Sequence, residues 1–445
     1  MNDASSTQTA CERIDTSSVP YSVGDGSAID ARRYRSREFF ELECDRLWPR
    51  VWQVACRLEE IPEVGDFTEY EIVDQSLLIV RVSPSIIKAF FNSCRHRGAQ
   101  LAKGCGHLAG GEIVCPFHGW RWTLDGSSSF VYAAEGFGRT IDPEALRLHE
   151  CRVETRWGLV FINMDPHAPP LEESLDGLIS AVDPLRLDLM RVDWWQFIEL
   201  EANWKVAQEA FLEAYHMMQT HPEIVAGRRG DDFDMAGFSA FELHPSGHGW
   251  VPPQGLLAPA RGMSGPEWTF ENDRVLFEGT KTWITEAQLA IEQDLVSQGL
   301  SDEEFISQFI AALQAEASER GVPLPPPTAE ATGWCHVFPN TTLISAYGHA
   351  LLYKFRPNGR DPERCIFDAC AVSLRPEDAG GPPRPARQGP VPREEWPFVL
   401  GQDLGNIERQ QAGMRNRGFE RCHLSPKYES MILNMHRALD RNLAR

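Results

Sequence analysis

The sequence predicts an α+β chain of two domains behind a short N-terminal arm. Three observations carry this. Short runs rich in β-branched and aromatic residues, separated by Gly, Pro and Asp, fill the stretch from about 50 to 165. Helical patterning takes over after about 195. Strand runs return late and read as an antiparallel meander, segregated from the helices. The boundaries that follow are an arm and helix over 1–48, a small all-β domain over 49–165, and a larger domain of antiparallel sheet plus helices over 166–445.

The elements come in order. Residues up to about 35 are polar. Ser36 then caps a helix whose apolar stripe is Phe39, Phe40, Leu47 and Trp48. The first-domain strands are VWQVACRL, DFTEYEIV, SLLIVRV, IIKAFFN and GLVFINM. A helix is predicted from about Trp204 to Met218, and long loops from Pro222 to Pro266. Two further helices follow. One runs from about Thr282 to Gln298; the other begins at Ser301, with Glu304 completing a capping box, and stops at Gly321 and Pro323. The late strands are HVFPNTTLISAY, ALLYKFRP and CIFDACAVSLRP. A last helix is expected from Ser425, with Pro426 in its first turn and Tyr428, Ile432, Met435 and Leu439 on one face.

Composition narrows the function classes. The chain has 43 Lys and Arg against 64 Asp and Glu, a formal charge of −21. Such a surface repels phosphate backbones and anionic lipid heads, so nucleic acid and membrane are excluded as partners. No apolar run nears the roughly 18 residues of a membrane span. The polar start MNDASSTQTACERID lacks the apolar core of a secretory signal. A cytoplasmic location is the expectation, and the 11 cysteines read as ligands and buried thiols rather than disulfides.

Two pairs dominate the chemistry: Cys94-Arg95-His96 and Cys115-Pro116-Phe117-His118. Zinc fingers pair Cys with Cys and His with His. Here each pair mixes one thiolate with one imidazole. A [2Fe–2S] centre with two Cys on one iron and two His on the other needs that combination. Imidazole in place of thiolate raises the cluster potential to roughly −150 to +300 mV, from about −400 mV in all-Cys plant-type clusters. Cys105-Gly106-His107 is a rival pair, too near Cys115 to form an opposed loop. The Gly104, Gly106, Gly110 spacing lacks the strand and helix of a nucleotide loop.

A second metal site lies in NWKVAQEAFLEAYHMMQTHP. Glu213 and His216 share a face if the segment is helical. His216 and His221 are about 500° of helical rotation apart, so they reach one ion only if the helix ends between them. Two imidazoles and one carboxylate make the facial triad of non-haem iron oxygenases. Residue patterning leaves the carboxylate open among Asp368 in a strand, Asp403 at a predicted helix start, and Glu408.

Together these motifs resemble the Rieske non-haem iron ring-hydroxylating oxygenases, α subunit, over nearly the whole chain. CRHRG and CPFHGW resemble the cluster loops, which implies Cys94, His96, Cys115 and His118 as [2Fe–2S] ligands. The NWK…E…FLEAYH….HP segment resembles the iron-binding helix, which implies His216 and His221. QDLGNIERQQAG is similar to the late segment whose Asp completes the triad, here Asp403. The resemblance implies a Rieske domain followed by a helix-grip-like catalytic domain, one cluster and one mononuclear Fe(II) per subunit. It also implies a homotrimer, or α3β3 with a β subunit, in which Glu213 bridges His216 to a cluster histidine, His118, of the neighbouring subunit. Electrons would come from a separate NAD(P)H-dependent reductase, with or without a ferredoxin. The substrates would be O2 and a hydrophobic or aromatic compound, dioxygenation being favoured over monooxygenation or demethylation. The chain departs from the pattern in two places: Ala210 follows Glu209 where the family often has Asn, and Glu213 is longer than the Asp of many members. An electron carrier without catalysis and a zinc-stabilised binding module are the readings from other classes. The apolar region from Pro222 to Pro266 and the strands around Phe338 to Tyr353 are the expected lid and pocket.

Overall fold

The computed structural model describes residues 14–24, 26–138, 142, 144–224, 240–251, 263–325, 333–376 and 384–445. Two antiparallel sheets organise it. The first has seven strands in the spatial order Gln53–Arg57, Leu159–Asn163, Glu150–Arg156, Ile86–Phe91, Gln75–Ser83, Asp66–Ile72 and Cys105–His107. A three-stranded sheet, Glu112–Val114, Arg121–Thr123 and Ser128–Phe130, stands against it. All five strand runs read from the sequence in this part are present. Cys105-Gly106-His107 is an edge strand, where His107 Nδ1 meets Asp66 Oδ1 at 3.0 Å.

The second sheet also has seven strands, ordered Met190–Leu200, Cys365–Leu374, His349–Pro357, Thr341–Ala346, Gly333–Val337, Gly249–Val251 and Glu242–Leu243. Cys365–Leu374 is buried on both faces, and side-chain alternation sends its residues to two cores. Phe367, Ala369 and Ala371 join Trp204, Val206 and Phe211. Cys370, Val372 and Leu374 join Leu171, Leu178 and Leu187. The sheet therefore fixes the Trp204 segment, and the site that follows it, from below.

The structure corrects several predicted elements. No strand is predicted over Met190–Leu200, yet it is the 11-residue edge of the sheet; a bulge between Val192 and Trp194 blurs its alternation. The HVFPNTTLISAY run divides into two strands, with Phe338, Pro339 and Asn340 in the turn between them. The loop expected up to Pro266 ends early, because a helix spans Gly265–Thr280; Ser264 and Glu267 form its capping box, and Pro266 sits in its first turn. The next helix starts at Glu286 rather than Thr282, since Lys281 turns left-handed and Thr285 caps. The Asp302–Glu319 helix is as read, with the Ser301–Glu304 capping box. The last helix is Ser430–Leu443, not one from Ser425: the Glu429 side chain accepts the Ser425 N–H at 2.7 Å and holds 425–429 as a turn. Ser36 caps the Arg37–Arg46 helix as read. Most of the expected lid lies outside the described residues.

Candidate metal centres

The two loops, Cys94-x-His96 and Cys115-x-x-His118, are built alike. Cys94 N–H donates to Ala99 O at 2.8 Å and Gly98 N–H to Cys94 O at 2.9 Å. Cys115 N–H donates to Trp120 O at 2.8 Å and Gly119 N–H to Cys115 O at 3.0 Å. Each turn closes through a glycine at positive φ, +77° at Gly98 and +71° at Gly119, which a side chain would strain. Both thiols are buried. Burial pushes the Cys94 thiol up, and Cys115 beside it adds to the effect. Two adjacent thiolates are costly unless cations hold them, which is what a cluster supplies. The His96 and His118 rings lie 4.7 Å apart, and Trp120 stacks on His96 at 4.6 Å. His96 Nδ1 is buried without a hydrogen-bond partner among the described residues, and His118 Nε2 lies 3.0 Å from Arg97 Nη2. These four side chains fit a [2Fe–2S] cluster.

The second centre comes from a broken helix. The predicted Trp204–Met218 helix stops at Glu209 and resumes for one turn at Met217–Thr220. Glu213 and His216 are thus not on a continuous helix face. The Glu213 carboxylate accepts the His216 N–H at 2.9 Å and the His216 Nδ1–H at 2.8 Å, so it holds the turn and the ring together. His216 and His221 sit at the two ends of that single turn, which is how a five-residue spacing converges.

Asp403 faces both rings: Oδ1 is 3.0 Å from His221 Nε2 and 3.5 Å from His216 Nε2. The three ligand atoms lie within 4.8 Å of one another. Both Nδ1 atoms are turned away, to Glu213 and to Gln402 Oε1 at 2.8 Å, so both Nε2 atoms point at one position. Burial opposes a charged His216, but Glu213 and Asp403 outweigh it and push it up to about 9. The residues fit a mononuclear iron.

Asp403 is not at a helix start. It lies in the second turn of the Phe398–Met414 helix, whose preceding residues Phe398–Gln402 the sequence reading left out. Asp368 does not point outward: it is buried against Arg387 and Trp195, and although burial works to raise it, Arg387, Arg356 and Lys354 hold it below the usual carboxylate range. Glu408 is near Arg393 and the Glu201 N–H, away from the triad. Sequence reasoning missed Gln402, itself held by Glu223 at 3.1 Å, and the Asn406–Thr220 bond at 3.0 Å that ties the two segments. A Gln one residue before the metal Asp carries no sequence signal.

Residues 187–445 match the family model of the ring hydroxylating alpha subunit (catalytic domain), and residues 51–135 that of the Rieske [2Fe-2S] domain. The chain is 34% identical over 197 residues to the carnitine monooxygenase oxygenase subunit of Escherichia coli (strain K12), which covers 44% of this chain and 52% of the relative. It is 31% identical over 235 residues to the 2-aminobenzenesulfonate 2,3-dioxygenase subunit alpha of Alcaligenes sp, covering 52% and 58%. The chain thus spans about half the length of the curated relatives it matches. Among solved structures, a quaternary ammonium Rieske monooxygenase in complex with L-carnitine superposes with a TM-score of 0.63 at 18% identity, covering 94% of this chain and 96% of the other. Naphthalene 1,2-dioxygenase with indole bound gives 0.64 at 17%, covering 94% and 93%. At that identity the likeness shows the fold. Among the described residues no helix is long and apolar enough to cross a membrane.

Proposed function

Since the chain belongs to the ring-hydroxylating oxygenase α-subunit family and carries its Rieske [2Fe–2S] domain, we propose that it is an oxygenase component inserting oxygen from O2 into an organic substrate. A separate NAD(P)H-dependent reductase, alone or through a ferredoxin, supplies the electrons. The observation that carries this is the convergence of His216, His221 and Asp403, with both imidazoles turned to one point by Glu213 and Gln402. When bound, the cluster supplies electrons singly and the mononuclear iron supplies the site of O2 activation. Cys94, His96, Cys115 and His118 hold the first, and His216, His221 and Asp403 the second.

Glu213 is the bridge between centres in an assembled trimer, homotrimeric or with a β subunit. Its carboxylate already fixes His216, and it lines a cavity of about 360 Å³ beside the triad. The cluster loops end in Phe117, 62% exposed, next to His118, a surface suited to meeting a neighbouring subunit.

The first substrate reading is ring hydroxylation of an aromatic or bulky hydrophobic compound. A second, monooxygenation of a small quaternary ammonium compound, is favoured by the relatives that bear that activity in their names. Purified chain with a surrogate reductase and ¹⁸O₂ tests both. One labelled atom in the product of carnitine or glycine betaine establishes the second; two in an aromatic product establish the first as dioxygenation. Protein that binds zinc, gives no reduced-cluster resonance and consumes no O2 with either class ends the oxygenase reading.

A further inference from the structure

A buried hydrogen-bond chain runs from the C-terminal helix to the wall of the cavity beside His216. Asp440 pairs with Arg33 Nη1 at 2.5 Å, with both side chains excluded from solvent. Arg33 Nε donates to His436 Nδ1 at 3.1 Å. A guanidinium is only a donor, so His436 Nδ1 must accept and its proton must sit on Nε2. That Nε2–H lies 2.8 Å from Glu209 Oε1, and the Tyr34 hydroxyl donates to Glu209 Oε2 at 3.0 Å. Four residues from the two ends of the chain thus fix one carboxyl. Glu209 in turn lines the cavity that also touches Glu213, His216, Asp403 and Glu429. None of this is needed to hold a metal.

We propose that Glu209 is a proton relay serving the oxygenation site, and that His436, fixed by Arg33 and Asp440, is its positioning residue. This rests on the oxygenase reading. With either product class, one O2 and one substrate molecule consume two electrons from the external reductant and two protons. Insertion of one oxygen atom releases the other as water; insertion of both releases none. In each transfer the Glu209 O–H bond breaks, the proton passes into cavity water towards the triad, and a carboxylate remains. A proton from solvent, entering past Glu429, restores the acid, so two cycles supply both protons. A polar cavity of this size is roomy enough for water.

The electrostatics suit the role. Burial pushes Glu209 up to about 8, Glu429 adds to this, and Tyr34, Lys205 and Arg33 pull it down. Glu213 and Cys422 complete the charged and titratable groups around the same cavity. Burial favours the neutral acid, while the Tyr34 and His436 donors stabilise the carboxylate left when the proton departs.

Infrared-monitored pH titration of the full chain tests this apart from turnover. The wild type should show a protonated-carboxyl C=O band lost near pH 8, absent from Glu209→Gln and shifted in midpoint in Tyr34→Phe and His436→Asn. In steady state, Glu209→Gln should lower kcat at least about tenfold, leave KM and iron content unchanged, and abolish the fall in rate above pH 8. Tyr34→Phe, which removes one hydrogen bond without changing the ring, should move the rate profile with the band. A band and rate profile that survive Glu209→Gln overturn the inference, as does a Tyr34→Phe variant with both midpoints unmoved if Glu209→Gln does not fold. No oxygen uptake with the expected infrared titration would sink the oxygenase reading instead, and the relay with it.

Discussion

Glu213 performs two tasks with one carboxylate, and that makes it the most informative residue to change. It accepts from the His216 backbone and from its ring. Glu213→Gln keeps an acceptor oxygen for one of these, so both metal centres should fill while turnover stops; normal turnover with reductase would remove the bridging role. Gln402 acts on the other imidazole. Gln402→Leu should weaken iron binding by about 10- to 100-fold, because the His221 ring loses its orienting acceptor, measured by chelator competition with cluster absorbance as the internal control. Cys94, His96, Cys115 and His118 stand out in the sequence as candidates through their mixed Cys and His loops, whereas the His216 and His221 spacing is a weak signal that gains weight only beside them. Asp403 was open by patterning alone, and only the resemblance singled it out.

At the scale of elements, the helices from Gly265 to Glu319 carry a buried carboxyl pair. Asp273 accepts from Trp283 Nε1 at 3.0 Å, and the Glu292 carboxyl is buried against it. Burial, then Asp273, pushes Glu292 from 4.5 to about 9. The folded chain therefore keeps a proton that the unfolded chain releases, and stability falls as pH rises across that window. Glu292→Gln should flatten this decline, read as Tm between pH 5 and 9; an unchanged slope would place the proton elsewhere. Ser264→Ala should cost about 1 kcal/mol in denaturant unfolding, by loss of the cap on the Gly265–Thr280 helix. The Ser264-Gly-Pro-Glu267 signal was present in the sequence, but Gly and Pro next to it read as loop. The helix break after Glu209 was less legible, because every residue from Trp204 to His216 tolerates a helix.

Across the whole molecule, an early and a late segment of the described residues meet. Ala28–Asp30 pairs with Arg421–His423 as a two-stranded sheet, and Arg33 is buried against Asp440. Removing one partner leaves a charge buried alone, so Asp440→Ala should destabilise the fold by about 3–5 kcal/mol, seen as a lower unfolding midpoint. The same packing brings Tyr34 and His436, far apart in sequence, onto the Glu209 carboxyl. Iron counting should distinguish the centres: Cys94→Ser should lose the cluster and keep the mononuclear iron, and His216→Ala the reverse.

By itself the sequence determined the candidate metal-binding side chains, the two-part α+β order and most strands, because residue identity, turn residues and side-chain alternation are local properties. Tertiary structure decided where Asp403 falls in its helix, that Gln402 aims His221, that Asp368 belongs to an interior ion pair, and that the first and last helices of the chain support Glu209. Those are contacts between distant segments, and a one-dimensional pattern holds no record of which distant side chains become neighbours once the two sheets and their helices close around a shared core.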